Sequence, residues 1–162
     1  MKNWGLVFVL VLVSCASPHP NEVEKRQFEV INYGLYITTT SWRDDHSSSP
    51  TGKMTRSGDR VHLETTTSIP PIIDTRFGVE YIVRSNNNRP VKLKFKWTPS
   101  TPIVGKLGKE YGEVSYEKIK KTNYLQYAGY ILSIESELKT ESWTLQIIYE
   151  NEVLYEKEFF IN

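Results

Sequence analysis

The sequence predicts an antiparallel β-sandwich of about seven to eight strands, with a single closed barrel as the alternative. Three observations lead to this fold class. Short segments that alternate apolar and polar residues recur along the chain. Turn residues, chiefly Gly, Pro and Asn, separate these segments at spacings of roughly 8–15 residues. No segment has a convincing helical amphipathic pattern, so helices are expected to contribute little.

The first 14 residues have the features of an export signal. Lys2 is followed by an apolar stretch from Trp4 to Val13. That stretch is about ten residues long, whereas a helix that spans a bilayer needs roughly 20. A basic start and a short apolar core followed by small residues are typical of a secretory signal peptide. The alternative, a buried terminal strand or helix, is disfavoured because Pro18, Pro20 and charged residues follow at once.

Cys15 is the only cysteine of the 162 residues, and it ends the apolar stretch. The segment Leu12–Cys15 resembles a bacterial lipobox, which implies a diacylglyceryl group on the thiol, cleavage before the cysteine and acylation of the new amine. Ordinary cleavage after Ala16 is the alternative, but it would leave a lone reactive thiol near the start of an exported chain. We therefore expect lipidation at Cys15. Ala16, in place of an aspartate, favours the outer membrane if the bacterium is Gram-negative.

These features divide the chain into three parts. Residues 1–14 form the signal peptide, residues 15–27 the lipidated cysteine with a polar tether, and residues 28–162 a single sandwich domain that faces the periplasm. Without Lys2, 19 basic and 19 acidic residues remain. This balance gives no support for nucleic acid as a partner.

The predicted strands begin at Phe28 and share an alternating or β-branched pattern. They are Phe28–Trp42, Val61–Ile69, Phe77–Arg84, Val91–Trp97, Val114–Ile119, Tyr127–Leu138, Trp143–Tyr149 and Val153–Ile161. Arg43–Arg60 is expected to be a polar loop. Trp143 has apolar neighbours of the same parity, so it is expected in the core. Lys157 interrupts the apolar parity of the last strand, which predicts either a bulge near it or a lysine that reaches past the core edge.

Several short motifs occur in a specific order. They are Gly34-Leu35-Tyr36, Ser68-Ile69-Pro70, Phe77–Tyr81, Pro99, Gly129-Tyr130, Glu137-Leu138, Trp143–Ile147 and Leu154–Phe159. Together they resemble a bacterial family of small exported domains of unknown function, over about residues 28–161. The resemblance implies an immunoglobulin-like β-sandwich and no known activity. The chain departs from that pattern at Thr140–Ser142, where the family tends to have a Pro-Gly turn, and in a longer polar insertion at Asp44–Asp59.

Two groups of side chains contain residue types that could serve catalysis or metal binding. Asp44, Asp45 and His46 are consecutive, so they need a third ligand from elsewhere to hold a metal ion. Glu135 and Glu137 lie two apart on a predicted strand, about 7 Å from each other, which overlaps the carboxylate separation of inverting glycosidases. Their apolar neighbours take the opposite face, so we expect both glutamates on solvent. No catalytic residue, metal ligand or cofactor is therefore assigned.

One basic stripe could bind a partner. Lys92, Lys94 and Lys96 share one face of a predicted strand. That face could meet phosphates of lipid or polysaccharide. The alternatives are an ordinary charged outer face and an edge strand protected from pairing with other chains. We favour these alternatives.

Aromatic residues and loops give a second set of binding candidates. Tyr124, Tyr127 and Trp42, if exposed together, could stack on sugar rings, although core positions are favoured. A ligand site is otherwise expected in the loops at one end of the sandwich, Trp42–Arg60 and Thr98–Tyr111, rather than on the sheet faces.

The sequence thus predicts a non-catalytic binding or envelope-interaction module, anchored to membrane lipid through acylated Cys15. Its expected partner is an envelope protein or glycan. The alternative is a small periplasmic hydrolase that acts on envelope glycan. A hydrolase of that kind needs a cleft in which two carboxylates converge, which separates the two functions.

Overall fold

The computed structural model describes residues 26–39, 41–46 and 49–162, without the side chains of residues 41–43 and 57. Cys15, the predicted lipidation site, therefore lies outside the described residues. The described strands are β1 (Arg26–Thr38), β2 (Ser41–Asp45), β3 (Lys53–Ser57), β4 (Arg60–Glu64), β5 (Ser68–Ile69), β6 (Arg76–Ser85), β7 (Val91–Pro99), β8 (Ile103–Val104), β9 (Glu110–Tyr111), β10 (Val114–Lys120), β11 (Gln126–Ile131), β12 (Ser142–Tyr149) and β13 (Glu152–Ile161). A short 3₁₀ helix covers Glu135–Leu138.

Two sheets face each other and form a sandwich. The first sheet has the order β11-β6-β1-β4, and the second has the order β10-β7-β12-β13-β5. All neighbouring strands are antiparallel except β5, which pairs parallel to β13. The antiparallel sandwich predicted from the sequence is confirmed. Its two main sheets hold nine of the described strands, and the small hairpins β2–β3 and β8–β9 hold the remaining four.

The core lies between the inner faces of the two sheets. In β7 the residues alternate strictly between buried and more exposed positions, as expected for a strand with one solvated face. The largest fully buried side chains come from both sheets and include Trp97, Trp143, Tyr81, Phe77, Phe95 and Phe159. Trp143 is fully buried and its ring centroid lies 4.3 Å from that of Tyr130. Its predicted place in the core is confirmed.

The segment Val61–Ile69 does not form one strand as predicted. It is split into β4, which pairs with β1 in the first sheet, and β5, which pairs with β13 in the second. Residues 65–67 make the crossing between sheets, so the chain changes sheets where the sequence pattern suggested one continuous strand. Pro70 and Pro71 follow directly and prevent β5 from extending.

The prediction of a loop over Arg43–Arg60 is also wrong. Strands β2 and β3 pair over five residues, from Ser41 opposite Ser57 to Asp45 opposite Lys53. The hydroxyls of Ser49 and Thr51 both donate to the backbone oxygen of Lys53, which closes the turn. A hairpin held by polar hydrogen bonds does not need alternating apolar residues, so its two strands have no recognisable sequence pattern.

Lys157 stays on the inner parity of β13. The bulge in this strand lies at Leu154, between the pairs Ile147–Tyr155 and Ile148–Val153, and not at Lys157 itself. The Lys157 ammonium instead extends over the ring of Tyr33, with its nitrogen 3.7 Å from the ring centroid. The strand thus has a bulge three residues before Lys157, and the ring of Tyr33 accommodates the lysine itself. No helix among the described residues has the length and apolar character needed to cross a bilayer.

Candidate functional site

Glu135 and Glu137, which the sequence was expected to place on one solvent-facing side of a strand, are separated by the structure. Strand β11 ends at Ile131, so the strand predicted over Tyr127–Leu138 is wrong in its second half. Glu135 is exposed, whereas Glu137, which was expected on solvent, is buried at the last turn of the 3₁₀ helix. The two carboxylates therefore do not share a strand face.

Glu137 is held by three hydrogen bonds. The Tyr130 hydroxyl donates to Oε1 at 2.8 Å, and the backbone N–H groups of Ser133 and Ile134 donate to Oε2. Burial raises the pKa of Glu137, and the hydrogen bond from Ser133 is the largest influence in the opposite direction. Both carboxylate oxygens are thus engaged in fixing the turn after β11.

Asp44, Asp45 and His46 lie at the end of β2 and do not converge. Asp44 forms an ion pair with Arg56, and Asp45 forms one with Lys53 across the hairpin. The nearby Lys53 ammonium holds the pKa of Asp45 below its usual value. Within residues 26–39, 41–46 and 49–162, no group of three or more potential metal ligands comes together.

The lysine stripe lies on the outer face of the second sheet. Lys92 and Lys94 are exposed, and Lys96 is half-buried. Strand β7 lies between β10 and β12, so the alternative that it is a protected edge strand is wrong. The Lys92 ammonium lies 2.6 Å from a carboxylate oxygen of Glu117, which partly neutralises the stripe.

Of the three aromatic residues weighed for stacking on sugar rings, the structure describes the side chains of Tyr124 and Tyr127. Tyr124 is exposed, but Tyr127 packs edge-on against Tyr36, with 4.9 Å between ring centroids. The ring of Tyr127 folds back over Gly129. A Cβ atom added at Gly129 would lie only 2.1 Å from the Tyr127 hydroxyl oxygen, so the tyrosine occupies the space that a side chain would need. This glycine therefore makes room for the tyrosine on the outer face of the first sheet. The side chain of Trp42 lies outside the described residues.

A cleft of about 400 Å³ lies beside β10 and β11, the edge strands of the two sheets. We call it the inter-sheet cleft. The β2–β3 hairpin forms one wall, and the turn between β8 and β9 approaches it. The backbone N–H of Lys106 donates to the oxygen of Pro50 at 3.0 Å, which joins these two turns.

The charges that line the inter-sheet cleft are nearly all positive. The basic residues are Lys53, Arg56, Arg60, Arg76, Lys106, Lys118 and Lys120, and the only acidic one in the described lining is Glu137. Some of these cations have carboxylate partners close by. The Arg60 Nε, for example, lies 3.0 Å from Glu80, whose other oxygen accepts a hydrogen bond from Asn32 at 3.1 Å.

Lys118 and Lys120 have an unusual position among these cations. They lie opposite Leu93 and Val91 of β7, whose side chains belong to the core, so both lysines are on the inner face of their sheet. Burial, followed by the neighbouring charges of Lys118 and Arg60, lowers the pKa of Lys120 to about 8. Burial also lowers the pKa of Lys118, with Arg56 acting in the same direction and Asp44 in the opposite one.

The two loop regions in which a ligand site was expected, Trp42–Arg60 and Thr98–Tyr111, supply only part of the lining of this cleft. Residues of the β2–β3 hairpin and Lys106 come from the two predicted loop regions, but Lys118, Lys120 and Tyr127 come from strands. The two lysines were missed, although they continue the parity of Val114 and Tyr116 in a predicted strand. That parity was the available signal, because an inward cation on a strand points to an edge or a binding site.

The fold is similar to that of a known protein. A crystal structure of an immunoglobulin-like protein from Pseudomonas aeruginosa matches with a TM-score of 0.57 and 17% identity, over 84% of this chain and 97% of that one. At this identity the likeness concerns the fold alone, and it confirms the immunoglobulin-like sandwich. No curated protein matches at a significant level. Residues 24–161 match the family described as "Domain of unknown function (DUF3859)", so the chain belongs to that family.

Proposed function

We propose that the chain is a non-catalytic binding module of the bacterial envelope, held to a membrane by lipid on Cys15. Its ligand site is the inter-sheet cleft. The observation that carries this proposal is the cleft itself, because about 400 Å³ lies within the range of small-molecule sites. Its walls combine aromatic surface from Tyr116 and Tyr127, which a ligand can contact, with charged groups that can fix its orientation.

The lining supports binding rather than hydrolysis. Glycoside hydrolysis by acid–base chemistry uses two carboxyl groups on either side of the scissile bond. Glu137 is the acidic residue of the described lining, and both of its oxygens already accept hydrogen bonds. The exposed Glu135 does not line the cleft. A ligand there would meet cations and aromatic rings instead.

The anchor rests on the sequence around Cys15. Each acyl methylene buried in the bilayer contributes about 0.8 kcal/mol, and one chain alone anchors only marginally. The two or three chains implied by the lipobox resemblance would hold the protein almost permanently. Ala16 after the cysteine, in place of an aspartate, supports an outer-membrane location with the domain in the periplasm if the bacterium is Gram-negative.

Fractionation of the Cys15→Ser variant tests the anchor. The variant should appear as soluble or unprocessed protein, whereas the wild type should remain with membranes after a wash without detergent. If the variant stays with the membranes at the mass of the processed wild type, lipidation at Cys15 is wrong.

Photo-crosslinking in cells tests the cleft. A photoreactive phenylalanine analogue replaces Leu125, which lines the cleft and is 48% exposed. The matched control replaces Phe160, which is 46% exposed on β13 at the other side of the second sheet. Discrete adducts at Leu125 alone support the proposal. Identical adducts at both positions, or adducts at Phe160 alone, contradict it.

A further inference from the structure

Lys118 and Lys120 lie on the inner face of their sheet, yet no carboxylate of the described residues pairs with them. Lys53, Arg56, Arg60, Arg84 and Lys92 each form an ion pair with a described carboxylate. Neither Lys118 nor Lys120 forms such a pair with any described residue. Their ammonium nitrogens lie on aromatic rings instead, 5.3 Å from the centroid of Tyr116 and 5.5 Å from that of Phe95.

Two unpaired ammonium groups on an inner sheet face oppose folding. Moving a cation out of water is costly unless an anion or several acceptors replace the water. The acceptor that the structure gives Lys120 is the backbone oxygen of Tyr127, at the long distance of 3.5 Å. An anion in the inter-sheet cleft would supply the missing partner for both lysines.

Two arginine–carboxylate ion pairs flank the two lysines. Arg60 lies near Lys120, Arg56 lies near Lys118, and both contribute to the lowered lysine pKa values. Their charges are balanced by Glu80 and Asp44, which face the same region. These two ion pairs carry no net charge, so Glu80 and Asp44 do not also neutralise Lys118 and Lys120.

Spacing and volume define the kind of ligand. Positions two apart on a strand are separated by about 7 Å, so two flexible lysines can converge on one group with several oxygens. The cleft of about 400 Å³ is much larger than one such group. The ligand should therefore carry its anionic group on a larger body that contacts Leu125 and the tyrosine walls.

We propose that the inter-sheet cleft binds its ligand through a multivalent oxyanionic group, phosphate or carboxylate, held by the ammonium groups of Lys118 and Lys120. This inference rests on the proposed function, because it names the ligand chemistry of the same cleft. Inward lysines on an edge strand also discourage pairing with other chains. Probe binding and oligomeric state of the Lys118 and Lys120 variants separate these two roles.

Pyrophosphate and citrate serve as probes, titrated into the full-length protein in a mild non-ionic detergent at constant ionic strength. Amide chemical shifts of the ¹⁵N-labelled protein report where each probe binds. Binding of either probe should shift amides of β10 and β11. A shift with pyrophosphate alone identifies a phosphate source, one with citrate alone a carboxylate source, and one with both supports the shared chemistry.

The variants Lys118→Met and Lys120→Met should each weaken the binding of an active probe about tenfold or more, since each removes a charge-assisted hydrogen bond to the anion. The matched control is Lys94→Met, because Lys94 is exposed on the outer face of the neighbouring strand. Its affinity should stay near that of the wild type.

Three outcomes would overturn the inference. The inference is wrong if neither probe shifts the amides of the cleft, or if the two variants bind the probes as the wild type does. It is also wrong if the variants differ from the wild type only in forming oligomers. The last result would assign the lysines to edge protection. If adducts at Leu125 persist unchanged in the double lysine variant, the cleft is still a binding site, but its ligand is not an anion.

Discussion

Replacing Lys120 by methionine should stabilise the domain near neutral pH. Methionine keeps the apolar stem of the lysine against the core and removes the charge. Burial is the main reason that the pKa of Lys120 falls from 10.5 to about 8, so the folded state disfavours the charged form. At about 1.36 kcal/mol for each pKa unit, the lowering from 10.5 to about 8 corresponds to roughly 3.5 kcal/mol as an upper bound. Partial exposure of the side chain reduces the expected gain to about 1–2 kcal/mol.

The gain should depend on pH in a defined direction. Below about pH 8 the wild-type lysine is charged in both states, and the folded state carries the full cost. Between about pH 8 and 10.5 the folded state loses the proton while the unfolded chain keeps it, so the wild type becomes more stable as the pH rises. The advantage of Lys120→Met should therefore shrink over this window.

Urea unfolding of the full-length protein in mild detergent, followed by tryptophan fluorescence, measures both effects. Lys94→Met is the control, because exposed substitutions usually change stability by less than about 0.5 kcal/mol. A Lys120→Met variant that is less stable than the wild type at neutral pH would refute the reasoning. So would a gain that stays constant up to about pH 10.

Two further predictions concern the core and the turn after β11. Trp143→Ala should cost roughly 3–5 kcal/mol in urea unfolding, as truncations of large buried side chains do, and a loss below about 1 kcal/mol would contradict its core position. Burial raises the pKa of Glu137 above 4.5, so its protonated form favours folding. The stability from this shift is complete below about pH 4.5 and is lost as the pH rises through the higher folded value. Glu137→Gln should remove that part of the pH dependence, and unfolding curves with the same dependence as the wild type would show that Glu137 is not its source.

Much of the fold could be predicted because its central strands bury alternate residues on one face. In β7, the polar positions between Val91 and Trp97 are lysines, so the alternation is unambiguous. The same pattern identified β12 and placed Trp143 in the core. Such strands can be recognised in the sequence because burial of one face places an apolar residue at every second position.

The failures have a different physical origin. Leu132, Ile134 and Leu138 continue a period of two after β11, but the chain leaves the sheet at Ile131. Tertiary contacts decide this, because Leu132 enters the core and the carboxylate of Glu137 binds the backbone of the turn. The apolar periodicity of a sequence does not show whether a carboxylate will turn inward and accept hydrogen bonds from backbone N–H groups.

The candidate site was the least predictable part. Lys118 and Lys120 could be assigned to a strand, but their direction depends on pairing between β10 and β7. That pairing joins segments separated by the whole β8–β9 region. One wall of the cleft is the β2–β3 hairpin, which is held by polar hydrogen bonds and ion pairs. A segment stabilised in this way does not need the alternating apolar residues by which a strand is recognised in a sequence.

The position of β1 has a mechanical consequence. This first described strand lies inside its sheet, with β4 on one side and β6 on the other. It forms ten register pairs with β6, from Arg26 opposite Ser85 to Tyr36 opposite Arg76. Ladder hydrogen bonds run across the strands, so tension applied to Arg26 along the strand loads them in shear. Many bonds then share the force, and β1 can slide out only if the ladder ruptures together rather than opening one pair at a time.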